Sequence, residues 1–151
     1  MSFALALHLL SATAWVGGMF FAYQILRPVA SEMFEPAVRL TLWKNVFWRF
    51  FPWVKASIVL LFVSGFWMIR GLGGMANVGW HVHLMLLLAV VMTVVFFMIR
   101  GKYFRGLRAA VEAEDWKEGA DRLSDIRKAV GLNLILGLLV IAVAGLGRYL
   151  G

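Results

Sequence analysis

Four long apolar runs constrain this chain more than any motif in it. They cover roughly residues 2–26, 53–69, 80–99 and 129–146. A bilayer's hydrocarbon layer is crossed by about 20 helical residues at a rise of about 1.5 Å each. The first run holds no Lys, Arg, Asp or Glu, and the second only Lys55 near its start. The third contains His81 and His83 but no formal charge, and the fourth has Asn133 as its one strongly polar side chain. A soluble domain carries about 45–50% apolar and about 25% charged residues. Here the shares are 62% and 15% in 151 residues, more apolar surface than one core of that size can hide. The fold expected is all-α: an integral membrane four-helix bundle forming a single domain over residues 1–151, with no low-complexity linker and no convincing internal repeat. The first run is expected to remain as a transmembrane helix. No cation precedes Arg27, and the run exceeds the 7–15 apolar residues of a secretory signal.

Charge supplies the orientation. Arg27, Arg39, Lys44, Arg49 and Lys55 follow the first run, and eight cations lie between Arg100 and Lys128. The other side carries only Arg70 and Arg148. The positive-inside rule then places both termini and the 71–79 loop outside, with the two basic segments cytoplasmic. The net charge of +7 is thereby read as topology, and no nucleic-acid partner is expected. Between Pro36 and Pro52, Val38, Leu40, Trp43, Val46, Phe47 and Phe50 alternate with Arg39, Lys44 and Arg49. That pattern predicts an amphipathic helix lying among lipid headgroups, aromatic side down. The segment from Tyr103 to Ile126 also reads as helical, with Glu118 and Arg122 paired at i,i+4.

Chemistry is narrowed by what is missing. With no cysteine there are no disulfides, thiolate metal sites, Fe–S clusters or thiol nucleophiles. All eight acids lie at Glu32, Glu35 or between Glu112 and Asp125, which argues against a proton carrier built on membrane carboxylates. The Gly17–Gly18 and Gly73–Gly74 pairs lack the strand–loop–helix setting of a phosphate loop.

Three histidines remain. His8 lies about 9 Å along its helix from Ser2, and His83 about 6 Å from Gly79. With the topology above, His8, His81 and His83 share one outer-leaflet layer, where intramembrane ionisable side chains are usually functional. His81 and His83 stand about 200° apart on a regular helix, so one faces the bundle centre and the other its rim. Alternatively the helix begins after them and all three converge on a small ion. The first geometry suits a haem, the second a metal ion, and imidazole serves both iron and copper. Met68 and Met85 near the same layer add thioethers that favour Cu(I). Ala12, Ala14, Gly17 and Gly18 leave room for a flat macrocycle or for close helix approach. Arg70 and Arg148 are suited to the propionates of an outward-facing haem. Plainer roles stand beside these: an interhelical hydrogen bond for a membrane histidine, an interface anchor for Trp80 and His81, packing for methionine, and headgroup contact for the outer arginines.

His8, Trp15-Val16-Gly17-Gly18-Met19-Phe20-Phe21 and Arg27-Pro28 resemble the copper-resistance protein D (CopD) domain and the related HemJ-type protoporphyrinogen oxidases. Phe51-Pro52-Trp53, Ser64-Gly65-Phe66-Trp67 and Gly79-Trp80-His81-Val82-His83-Leu84 continue the likeness over nearly the whole chain. The resemblance implies a four-helix membrane bundle with functional polar residues on the first and third helices. It implies b-type haem on the HemJ side and copper uptake or homeostasis on the CopD side. The family's first-helix histidine falls on His8 and its following basic residue on Arg27. The third-helix Trp-x-His-x-Lys pattern of HemJ-like chains is met here by Trp80-His81-Val82-His83, with an offset and with histidine in place of lysine. The leading expectation is a b-type haem protein of the bacterial inner membrane. His8 and His83 would be axial ligands and His81 the alternative to His83; the task would be electron transfer or an oxidoreductase reaction in the outer half of the membrane. Its rival is copper binding or transport through His8, His81, His83, Met68 and Met85. A third expectation is a non-catalytic structural subunit. Lipid is the expected partner, with a redox partner protein and a homo-oligomer left open.

Overall fold

The computed structural model describes residues 1–150 and is helical throughout. Four helices are long and apolar enough to cross a membrane: α1 (Ser2–Met33), α2 (Pro36–Gly71), α3 (Trp80–Glu112) and α4 (Trp116–Leu150). They form a four-helix bundle of two antiparallel hairpins, α1 with α2 and α3 with α4. The hairpins are matched: helices of 32 and 36 residues in the first, 33 and 35 in the second. Each first helix also loosens into a π-helical turn, at Phe21–Leu26 in α1 and Ile99–Tyr103 in α3. The turn in α1 precedes Pro28, whose ring and missing N–H disturb the helical ladder behind it; the turn in α3 contains Gly101.

The connections follow local chemistry. Pro36 opens α2 at a position whose N–H would have no helical partner anyway. Between α3 and α4, Glu114 takes the left-handed conformation (φ 55°), and the Asp115 carboxylate accepts the Glu118 N–H at 3.2 Å, capping α4. Gly73 and Gly74 turn the outer loop with φ of 97° and 95°, and Asn77 Nδ2 donates to the Gly73 carbonyl at 2.8 Å.

Packing is concentrated toward the basic end. Trp43, Phe47 and Phe51 of α2 stack in series and meet Phe96 and Phe104 of α3 edge-on, the Phe51 ring centroid 5.5 Å from Phe96 and 5.0 Å from Phe104. No residue of α3 before Met92 is buried. The apolar side chains left outside, among them Leu9, Leu10, Phe66 and Leu138, are those a bilayer would cover.

One expectation is corrected here and a second is extended. The 36–52 segment is helical, but it runs straight on through Pro52 into the span. Its aromatic side turns into the core: Leu40, Trp43 and Phe47 are buried, and of its larger apolar side chains only Val38 and Trp48 are exposed. Edge-to-face contact with Phe104 offers those rings a denser environment than headgroups do. The 103–126 segment is likewise the continuation of two long helices, folded back at residues 113–115. Its Glu118–Arg122 pair forms at 2.8 Å.

Candidate functional site

His8 lies in the half of the bundle that carries both chain ends and is held there by a facing helix. It projects from α1 onto α2, where its Nδ1 lies 2.9 Å from the Ser64 hydroxyl. Ser64 is fully buried, and its hydroxyl donates to the Leu60 carbonyl at 2.6 Å. A hydroxyl has one hydrogen to give, so Ser64 accepts from His8 and the imidazole carries its proton on Nδ1. The Nε2 lone pair is left free, which is the form a metal or haem iron takes up. Gly65 adjoins the seat: a Cβ there would stand 3.4 Å from His8 Cε1 and 3.7 Å from its Nδ1, so that edge of the ring packs against α2.

Helix register places the other candidates. A Cβ on Gly137 of α4 would meet Val16 of α1 at 2.9 Å and Met92 of α3 at 3.3 Å, so these three positions share a level. Eight residues outward from Val16 is His8; eight outward from Met92 is Leu84, next to His83. His8 and His83 therefore stand within about 2 Å in height. Sideways they differ. His83 is exposed on the rim of α3, whereas the half-buried His81 packs against Gly147 of α4, its Nδ1 buried without a partner. α3 begins at Trp80 with Gly79 as its cap, so the His-Val-His stretch is regular helix. This corrects the alternative in which it is extended and all three imidazoles converge. Among the described residues no three of His, Cys, Asp or Glu gather into a metal-holding group. The bundle-facing member of the pair is His81, and it is occupied with α4.

Met68 is half-buried, one turn beyond Ser64 on the same face of α2. Helical side chains tilt toward their helix N-terminus. Since α1 and α2 are antiparallel, His8 leans outward and Met68 leans inward, toward one another. Met85 is half-buried on α3, within one turn of the His8 level. Arg70 and Arg148 are exposed, each in the last turn of its helix, where positive charge offsets the unpaired carbonyls. Of the small residues on α1, Gly18 serves close approach, since a Cβ there would run into the Phe50 ring, while Gly17 faces open space.

As a haem seat the outer half supplies one oriented imidazole, on the first hairpin. The second imidazole of a bridging pair has no such orientation, His81 being turned to α4 and His83 outward. As a copper seat it supplies an imidazole and a thioether on facing helices. Sequence reasoning singled out His8 and offered an interhelical hydrogen bond as its plainer role, and that bond is present; it did not single out Ser64, whose lone hydroxyl in an apolar run reads as ordinary helix packing. The i,i+4 spacing of Ser64 and Met68 was the available signal.

Comparison with curated proteins and with solved structures gives no match. Residues 44–146, which take in most of α2 and nearly all of α3 and α4, match the family described as copper resistance protein D. The match covers more than half of the chain and begins beyond α1, so it is independent of His8. On that match, this multi-pass helical membrane protein belongs to the copper resistance protein D (CopD) family.

Proposed function

We propose that this protein binds Cu(I) in the outer half of the membrane and hands it on, with His8 Nε2 as the oriented ligand and Met68 as the facing thioether. The observation that carries the proposal is the Ser64–His8 hydrogen bond, which commits the imidazole to the tautomer with a free Nε2. Family membership supports copper as the cargo. Imidazole with thioether suits Cu(I), and two neutral ligands hold it loosely enough for release. Met85, and His81 or His83 from the second hairpin, are the donors from which a third ligand would come. The positive-inside rule puts this layer toward the exterior, at the height where an ion arriving from outside is first met.

Purified protein titrated with Cu(I) against a colorimetric chelator tests the proposal. Wild type is expected to hold one equivalent. His8→Ala is expected to lose it, and Met68→Leu to weaken it at least as much as loss of an outer-shell partner does, about 10–100-fold. Copper retention by His8→Ala would overturn the assignment. The haem expectation is read in the same sample: a Soret band that disappears in His8→Ala would replace copper by haem b as the group held at Nε2.

A further inference from the structure

A cavity lies at the opposite, basic end of the bundle. It encloses about 520 Å³ between α1, α2 and α4. Its floor is apolar, formed in part by the buried Leu40, Trp43 and Phe47. Its walls bring in three guanidinium groups, Arg27, Arg39 and Arg127, from three different helices, with the hydroxyls of Ser31, Ser124 and Tyr23 among them. One carboxylate, Glu32, also lines it. The ion pairs formed among the described residues are Arg108–Glu112, Arg122–Glu118 and Arg122–Asp125, so no cavity arginine is neutralised by a carboxylate. Arg27 is held by its own helix, its Nε donating to the Tyr23 carbonyl at 3.1 Å and its guanidinium lying 4.5 Å from the Tyr23 ring centroid. That leaves its terminal nitrogens for another acceptor. Arg39 makes one long bond, 3.4 Å, to the Ser31 carbonyl.

Depth identifies the ligand's chemistry. Twenty residues of helix from Ser2 reach Phe21, and Gly131 of α4 packs against Tyr23 at that level, so the hydrocarbon layer ends at about this height. Tyr23, Arg27 and Arg127 lie just past it, where lipid phosphates sit. Basic pockets between membrane helices at that level take anionic headgroups, and forked guanidinium donors match phosphate oxygens in pairs. We infer that this cavity is a binding site for the phosphate headgroup of an anionic phospholipid, held by Arg27, Arg39 and Arg127, with its acyl chains in the adjoining bilayer. The net lining charge is positive even with Glu32 counted, and the aromatic floor suits the glycerol end of the molecule.

The test uses the full chain in detergent, with phosphatidylglycerol and phosphatidylcholine of identical acyl chains, read by native mass spectrometry. Phosphatidylglycerol is expected to be retained in preference, and the preference to fall by about fivefold for each arginine replaced in Arg27→Gln, Arg39→Gln and Arg127→Gln, corresponding to about 1 kcal/mol per cation near an anionic surface. Arg127→Gln alone, an exposed position, gives the readout if the triple variant does not fold. Equal retention of the two lipids by wild type would overturn the inference, as would a preference untouched by the substitutions, which belongs to the basic surface at large. Displacement by millimolar inorganic phosphate would reassign the cavity to a free anion. Copper binding at the far end is expected to stay unchanged in these variants.

Discussion

Ser64 and His8 show how much one hydroxyl does inside a membrane. The serine is buried, its hydrogen is committed to Leu60, and its lone pair decides which ring nitrogen of His8 carries the proton. Ser64→Ala leaves the helix intact but frees the imidazole to turn and to change tautomer. Its expected effect is a 10–100-fold weaker Cu(I) affinity, the range for outer-shell partners of metal ligands, with unchanged helicity by circular dichroism. An unaltered affinity would mean that the seat on Gly65 suffices to orient the ring. The histidine stood out in the sequence as a lone imidazole in an uncharged run, and the interhelical hydrogen bond it makes is the plainer of the roles open to it there. Its partner did not, because a helical serine satisfies itself on the preceding turn, and its i,i+4 spacing to Met68 is the one trace it leaves. The division of labour between His81 and His83 was legible only as a choice, since helix phase separates the two without saying which face meets α4.

At the scale of elements, adjacent glycines on α1 do different work. Gly18 admits the Phe50 ring, whereas Gly17 faces open space. Gly18→Leu is expected to cost about 1–3 kcal/mol by overpacking, lowering the thermal midpoint in detergent, while Gly17→Leu leaves it unchanged. Equal effects would mean that the α1–α2 contact is looser than described. At the fold-back between α3 and α4, Asp115→Ala removes the acceptor for the Glu118 N–H and is expected to cost about 1 kcal/mol in chemical denaturation. The apolar runs were readable because they need only counting. The helices prove longer than the runs, since Leu40, Trp43, Phe47, Phe104 and Leu107 continue the buried face among charged residues. The same alternation is what a helix lying on a membrane would show. Pattern alone does not separate the two, because lipid and protein interior are both apolar; contact with a facing helix decides it.

For the molecule as a whole, the two ends are unlike. The links at residues 34–35 and 113–115 are tight and lie at the end rich in Lys and Arg, and residues 72–79 form the longer turn at the other. The chain contains no cysteine, so single thiols report topology directly. Leu72→Cys is expected to react with an impermeant maleimide on intact cells, and Ala113→Cys only after permeabilisation. The reverse pattern would invert the bundle and move the His8 layer to the inner leaflet. The cavity of Arg27, Arg39 and Arg127 escaped the sequence because its members are spread over a hundred residues, and each alone reads as topological charge. Only the antiparallel register brings them together.

The helices run about 50 Å, against about 30 Å of hydrocarbon, and the excess lies on one side as a stem of the same construction as the span. Membranes differ in thickness by several ångströms. In a protein that ends at the interface, such a difference strips or smothers the last turn. Here the waterline slides along continuous helix whose rings are already shielded by one another, so the protein meets thick and thin bilayers without refolding its inner edge.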